Sequence, residues 1–308
     1  MRSIKTLKIF YRLRSAVLGF AVAGLFCVCL SSTLQAQRVA LKNNQGHGIM
    51  ESIDAEEGAK RMASFRAQRL TGDFCFKFQL EHKPRRGDTI RYNGILYGSW
   101  NDRGPVSRFI LYPRSVGDEV SMELPPVELI VQNGVDSAVW IRRQAKAPFV
   151  RIEDGALFEP IFDGVLYTPF DLQMPFVFWQ NYIYEGPSRV LSRIGQQFLM
   201  QPPEGSLAKL NGITAVRIAL DDTYFAMLKV EVLGEDAVPY SSFTVRGLKK
   251  VQGQYIVKTI QLKDLHSKDA TDFKVKSASI EILLNPEVFN PNSKVALPEI
   301  SAELFDAL

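Results

Sequence analysis

Residues 74–81 read Phe-Cys-Phe-Lys-Phe-Gln-Leu-Glu, and the fold follows from this alternation. Phe74, Phe76, Phe78 and Leu80 take turns with Cys75, Lys77, Gln79 and Glu81. Successive side chains of a strand point to opposite faces, so the pattern specifies a strand with one strongly apolar face. A slip of one residue would turn every phenylalanine into water, which fixes the register as well. Outward from it, residues 84–88 (Pro-Arg-Arg-Gly-Asp) form a turn, and 89–100 and 105–112 read as strands around Asn101-Asp102-Arg103-Gly104. Residues 127–132 and 136–142 flank Asn133-Gly134, a strong hairpin signal. Residues 163–179 break the rhythm with Gly164, Pro169 and Pro175 and are dense in Phe and Tyr, which predicts a short helix within a crossing loop. Strands resume at 180–184, 188–200, 213–220, 224–233, 241–250, 255–263 and 271–283.

One convincing helix precedes the strands, at 52–70. Asp54 with Glu57 fits a capping box, Glu56 and Glu57 suit the positive end of the helix dipole, and Arg61, Arg66 and Arg69 fall toward the other end. Ile53, Met62 and Phe65 form an apolar stripe, and the alanines at 55, 59, 63 and 67 give the helix a smooth side. About eleven strands with one good helix predict an α+β, mainly β, chain: a large curved antiparallel sheet forming an incomplete barrel, closed by the N-terminal helix and the short crossing helix.

Residues 1–36 read as an export signal. Arg2, Lys5, Lys8, Arg12 and Arg14 make a basic start, residues 16–30 are apolar and uncharged, and Ala36 offers a small residue for cleavage before Gln37. The apolar run is shorter than the ~20 residues that span a bilayer comfortably; an uncleaved segment would instead act as a membrane anchor. Neither Cys27 nor Cys29 sits in a lipid-attachment context. The expected organisation is signal peptide 1–36, flexible lead 37–51, one half-barrel domain 52–291 and a C-terminal tail 292–308. Processing would remove five of the 37 basic residues and none of the 33 acidic ones, so the mature chain is near neutral and nothing in it calls for nucleic acid. It would keep Cys75 alone, inside a strand pattern, as a buried structural thiol.

The sequence carries little that could do covalent chemistry. His47, His82 and His266 are far apart, without partners at zinc-like spacing, and read as ordinary surface histidines. There is no nucleophile elbow, phosphate-binding loop, dinucleotide fingerprint or Cys-x-x-Cys in the mature chain. Glu56-Glu57 and Asp221-Asp222 read as helix-start and turn residues, Lys83, Arg85 and Arg86 as a hairpin tip, and Arg142, Arg143 and Lys146 as a solvated cluster. No catalytic residue, cofactor or metal is expected. What the chain has in quantity is aromatic side chains, 33 in all. These either fill a core or line an apolar hollow left by a curved sheet with few helices to fill it. On the second reading the cavity residues are Phe74, Phe76, Phe78, Leu80, Trp100, Phe109, Leu111, Trp140, Phe176, Phe178 and Trp179.

In the order of its elements and in several segments the chain resembles the periplasmic outer-membrane lipoprotein-sorting proteins, the LolA/LolB-like group. The segments are Leu166-Tyr167-Thr168-Pro169-Phe170-Asp171-Leu172 at the crossing, residues 224–234 (YFAMLKVEVLG), residues 251–258 (VQGQYIVK) and Phe289-Asn290-Pro291. The resemblance spans about 52–291. It implies an open barrel whose apolar interior shelters lipoprotein acyl chains, or another lipid, on the way to the outer membrane. It implies an inner-membrane release complex and an outer-membrane acceptor as partners, and a basic residue near the helix that helps control opening; no arginine here aligns with that residue. Met174, Met200 and Met227 would suit an adaptable lining. The expected function is an exported, non-enzymatic carrier; the alternative is a periplasmic sensor or regulatory module of the same fold that binds lipid or misfolded envelope proteins.

Overall fold

The computed structural model describes residues 27–28, 50–113, 125–134 and 136–308. The segment read as an export signal and all but the last two residues of the expected lead lie outside these, save that the backbone of residues 27–28 pairs antiparallel to Ile256 and Tyr255. The chain begins with α1 (Ala55–Ala67) and enters β1 (Asp73–Lys83), β2 (Ile90–Asn101), β3 (Gly104–Leu111), β4 (Val127–Gln132), β5 (Ala138–Arg142) and a two-residue β6 (Val150–Arg151). A crossing follows, built of a 3-10 turn (Gly155–Phe158), α2 (Pro169–Gln173) and a second 3-10 turn (Pro175–Phe178). The chain then returns through β7 (Tyr182–Val190), β8 (Arg193–Met200), α3 (Leu207–Leu210), β9 (Ala215–Asp221), β10 (Met227–Leu233), β11 (Pro239–Val251), β12 (Gln254–Asp264) and β13 (Ala270–Ile282), and ends near β14 (Asp306–Ala307).

All pairings are antiparallel, and the sheet order is β6-β5-β4-β3-β2-β1-β13-β12-β11-β10-β9-β8-β7, with β14 added beside β13. The path does not close. The first meander walks outward from β1 to one edge; the crossing carries the chain to the opposite edge, and the second meander walks back until β13 pairs with β1. A connection between the two free edges of a curved sheet must traverse its open side, so topology alone sends residues 152–181 over the trough. There are more strands than the eleven expected, chiefly because of the two-residue β6 and β14; the hairpin turn falls at Leu191, which takes a left-handed φ of 55°, and not between 184 and 188, so β7 folds onto β8 there. Both edges are blunted, β6 by being two residues long and β7 by a bulge at Tyr184/Gly186 followed by Pro187.

The alternation in β1 places Phe74, Phe76, Phe78 and Leu80 on the concave side in the main core, whereas Cys75 belongs to a second cluster on the convex side and Lys77 is exposed. Phe74 and Phe78 stand opposite Gly98 and Gly94 of β2. Their rings lie flat on those glycines: a Cβ at 98 would come within 2.0 Å of Phe74 and one at 94 within 2.4 Å of Phe78. The missing side chains let the sheet coil sharply at its centre. Across β13, Phe78 stacks on Phe273 at 4.3 Å. On the convex face Tyr97, Ile110, Ile130 and Cys75 are covered by residues of the closing segment, among them Val288, Phe289 and Phe305. Arg108 fixes that segment by donating to the Val288 carbonyl at 2.8 Å while it and Arg142 share the Glu128 carboxylate, each at 2.6 Å.

Two local expectations change. His82 is not a surface histidine: β1 runs on through Lys83, so the ring is buried, lies 2.9 Å from the Thr271 hydroxyl, and is drawn below its ordinary pKa by burial. At α1 only half of the capping box forms; Asp54 accepts from the Glu57 amide at 2.7 Å, but the Glu57 carboxylate turns to Arg61 at 2.8 Å. Cys75 is a buried thiol, pushed up to about 12 by desolvation.

Because Phe76 is fully buried, Phe76→Ala is expected to cost about 3–5 kcal/mol in denaturant unfolding. Lys77→Ala, one residue on but facing out with its ammonium 4.4 Å from the Phe305 ring centroid, is expected to cost no more than about 1 kcal/mol.

Candidate functional site: a cleft at the open seam

Between the free edges the described residues enclose a cleft of about 1080 Å³. One wall is β5 and the segment after it (Ala138, Val139, Ile152, Leu157); the other is the stretch after β8 (Pro203, Leu207, Ala208). The crossing forms the floor with Phe170, Pro175, Phe178 and Trp179, and α1 lies along the top with Ala63, Arg66 and Ala67. Its volume lies just above the range for pockets that enclose a small molecule, ~300–1,000 Å³. Among the described residues no His or Cys lines it; its polar members are the amides Gln173, Gln180, Asn181 and Gln201, the hydroxyls of Ser137 and Ser206, and the charged Arg66, Arg103, Arg151 and Glu153. Such a surface can desolvate an apolar chain and offer it a few hydrogen bonds and charges.

α1 is held over the seam by contacts to three parts of the fold. Arg61 reaches the turn after β9, with Nη1 2.5 Å from the Asp222 carboxylate, and Gln68 donates to the Tyr224 carbonyl at 2.8 Å. At the other sheet half the Arg69 guanidinium stands 5.7 Å from the Trp100 ring centroid. Toward the crossing, Arg66 donates through Nε to the Val177 carbonyl and through Nη2 to the Trp179 carbonyl, both at 2.7 Å. It has no carboxylate partner among the described residues. Burial draws its pKa below the ordinary value, with Tyr182 acting the other way. Asp221-Asp222 is a turn that also serves as an anchor: Asp221 caps the Thr223 and Tyr224 amides and pairs with Arg193.

The aromatic residues singled out in the sequence fall in three places. Phe178 and Trp179 line the cleft. Phe74, Phe76, Phe78, Leu80, Phe109, Leu111 and Phe176 lie in the buried core beneath it. Trp100 is half-buried under Arg69, and Trp140, opposite Ile130 in the sheet register, packs with Phe149 on the convex face. The structure thus separates them. The trough is occupied by the crossing itself: Tyr167, fully buried, meets Phe243 and Phe273 edge-on at 6.0 and 6.3 Å, and Phe170 and Phe176 pack at 6.0 Å. The hollow is left at the seam. Of the basic residues near the crossing, Arg142 is spent on Glu128 and Arg143 donates to the Ile161 carbonyl at 3.1 Å. Sequence reasoning missed Arg66, which reads there as a dipole complement, and saw in the alanines at 63 and 67 a smooth helix side without knowing what it faced.

No protein-family model matches the sequence, and no curated protein does. Among solved structures the chain is similar to a DUF1329 family protein from Desulfovibrio piger (TM-score 0.62, 12% identity, 76% of this chain and 95% of that one). It is similar also to a domain named for outer membrane lipoprotein sorting from Vibrio parahaemolyticus (0.61, 14%, 77% and 96%) and to a LolA superfamily protein from Nitrosomonas europaea (0.55, 12%, 77% and 98%). The chain has a LolA/LolB-like fold, mainly β, with an open curved antiparallel sheet and few helices.

Replacing Arg66 by Met removes two charge-assisted hydrogen bonds to the crossing, at a cost of about 1.5–3 kcal/mol each by general experience. Amide exchange at residues 176–181 is expected to accelerate in the variant well beyond the change in the β1–β13 core, and hydrogen exchange read by mass spectrometry checks it.

Proposed function

We propose that this protein is an exported, non-enzymatic carrier that shelters the acyl chains of a lipoprotein, or another apolar lipid, in the seam cleft and moves them toward the outer membrane. The observation that carries the reading is the apolar cleft at the open seam of a LolA/LolB-like fold, roofed by alanines and floored by Phe170, Phe178 and Trp179. Each methylene removed from water is worth ~0.8 kcal/mol, so an acyl chain crossing an aqueous compartment needs such a surface. Release needs a wall that can move. The crossing is one connection held to α1 by Arg66, and in this reading Arg66 is the basic residue whose two carbonyl contacts govern opening. The N-terminal sequence supports export to the periplasm, and Phe178 and Trp179 are the members of the aromatic set assigned to the ligand.

The cleft can be filled from the helix without touching the core, because Ala63 and Ala67 line it and are themselves exposed. Ala63→Trp and Ala67→Trp are expected to lower the affinity for an apolar dye and for an acylated peptide by at least about tenfold, while stability changes within about 0.5 kcal/mol, as for surface substitutions. Dye titration alongside thermal unfolding reads both. Unchanged binding by both variants would place the ligand elsewhere.

A further inference from the structure

The structure assigns a second, smaller pocket, on the far side of Phe170 from the cleft, to the binding of a primary ammonium group. This cavity, about 180 Å³, lies between the crossing and the β10–β11–β12 part of the sheet. Phe170 borders both hollows and separates them. The polar side chains that line it are Asp171, Asp264, Asn211, Ser241, Tyr240 and Thr168; two are acids and none is Lys, Arg or His. The site is therefore negative, with acceptors on several sides and no built-in cation.

Asp171 is the group that asks for a partner. It is 7% exposed, on a helix whose own capping uses only one of its oxygens. Oδ2 accepts from the Thr168 amide at 2.9 Å and from the Thr168 hydroxyl at 2.8 Å; Oδ1 accepts no hydrogen bond from the described residues. Burial pushes this carboxyl up to about 6, with Thr168 pulling the other way, so near pH 7 it is mostly ionised. A buried anion without a countercharge is unfavourable unless something charged or hydrogen-bonding reaches it. Next to it the fully buried Tyr167 hydroxyl, raised by burial and then by the charges of Asp171 and Asp272, also finds no partner among the described residues, but it does not line the pocket.

Size and walls choose the ligand. At roughly 30 Å³ per water the space equals about six waters, too small for a drug-sized molecule but enough for an alkylammonium head with a short stem. Phe158 and Phe170, with ring centroids 5.0 Å apart, supply aromatic surface to the stem and to the cation. A divalent metal is a poorer match, since among the described residues no three His, Cys, Asp or Glu side chains are placed to hold one.

Calorimetric titration of the mature protein with n-butylammonium at pH 7.5 and fixed ionic strength tests this, with n-butanol as the neutral control. The account predicts saturable binding of the cation and none of the alcohol. Asp171→Asn is predicted to weaken it at least tenfold while the apolar dye still binds the cleft as in the wild type. Ser241→Leu, which occupies the pocket and leaves both carboxylates in place, is predicted to give the same loss, so a folding defect in the first variant would not decide the matter. A response no different from n-butanol, wild-type affinity in both variants, or preference for Ca²⁺ over n-butylammonium would overturn the assignment. The site does not depend on the carrier reading, because the dye reports the cleft and the amine reports the pocket. Comparing a short-chain phosphatidylethanolamine with an acetylated lysine amide then tells a lipid headgroup from a protein side chain, and a preference for either upholds the site.

Discussion

An open, strongly curved sheet leaves one apolar trough and two edges of unpaired backbone, and both must be covered for the chain to persist in water. Here one segment answers for the trough and the gap between the edges: residues 152–181 run from the end of β6 to the start of β7 because no other route joins them. Their side chains Tyr167, Phe170, Leu172 and Phe176 become the inner half of the core. The sheet supplies the outer half through Phe76, Phe78, Phe243 and Phe273. What the crossing fails to fill is the cleft, and what holds the crossing in place decides whether the cleft is open.

This gives the polar contacts around α1 their meaning. Surface ion pairs such as Lys60–Glu56, both partners well exposed, contribute little. Arg61 and Arg66 are different, being partly buried and aimed at distant parts of the chain, Asp222 and the carbonyls of 177 and 179. They hold a short helix with a polar average across a seam where hydrophobic contact alone is thin, since only Gly58 and Met62 of α1 are buried. On the proposed carrier reading, this roof, held by a few directional bonds over a smooth alanine surface, lifts without unfolding the sheet to admit and release an apolar chain.

Much of the fold is legible in the sequence because period-two alternation is a local signal: β1, its neighbours β2 to β5 and the late strands β9 to β13 all appear where the pattern puts them. The hairpin at Leu191 is not, since Arg-Val-Leu-Ser-Arg carries no Gly, Pro or Asn to mark a turn and the left-handed residue is a leucine. The glycines at 94 and 98 are legible only as breaks in apolarity; that rings from β1 lie on them needs the register. For the site, bulk alone could not tell which aromatics fill and which line. Trp140 and Phe178 look alike in a sequence, yet strand parity puts the first on the convex face and the crossing puts the second at the seam. Arg66 was hidden for the same reason, because its partners are main-chain oxygens more than a hundred residues away.

The central claim is that the seam cleft carries acyl chains, and native mass spectrometry of the protein purified from its own envelope without detergent tests it most directly. The account predicts a fraction of the protein with mass added by an acylated species, released on mild activation, and the loss of that fraction in Ala63→Trp. A wild-type spectrum showing only the bare polypeptide, from material that still unfolds cooperatively, would contradict it.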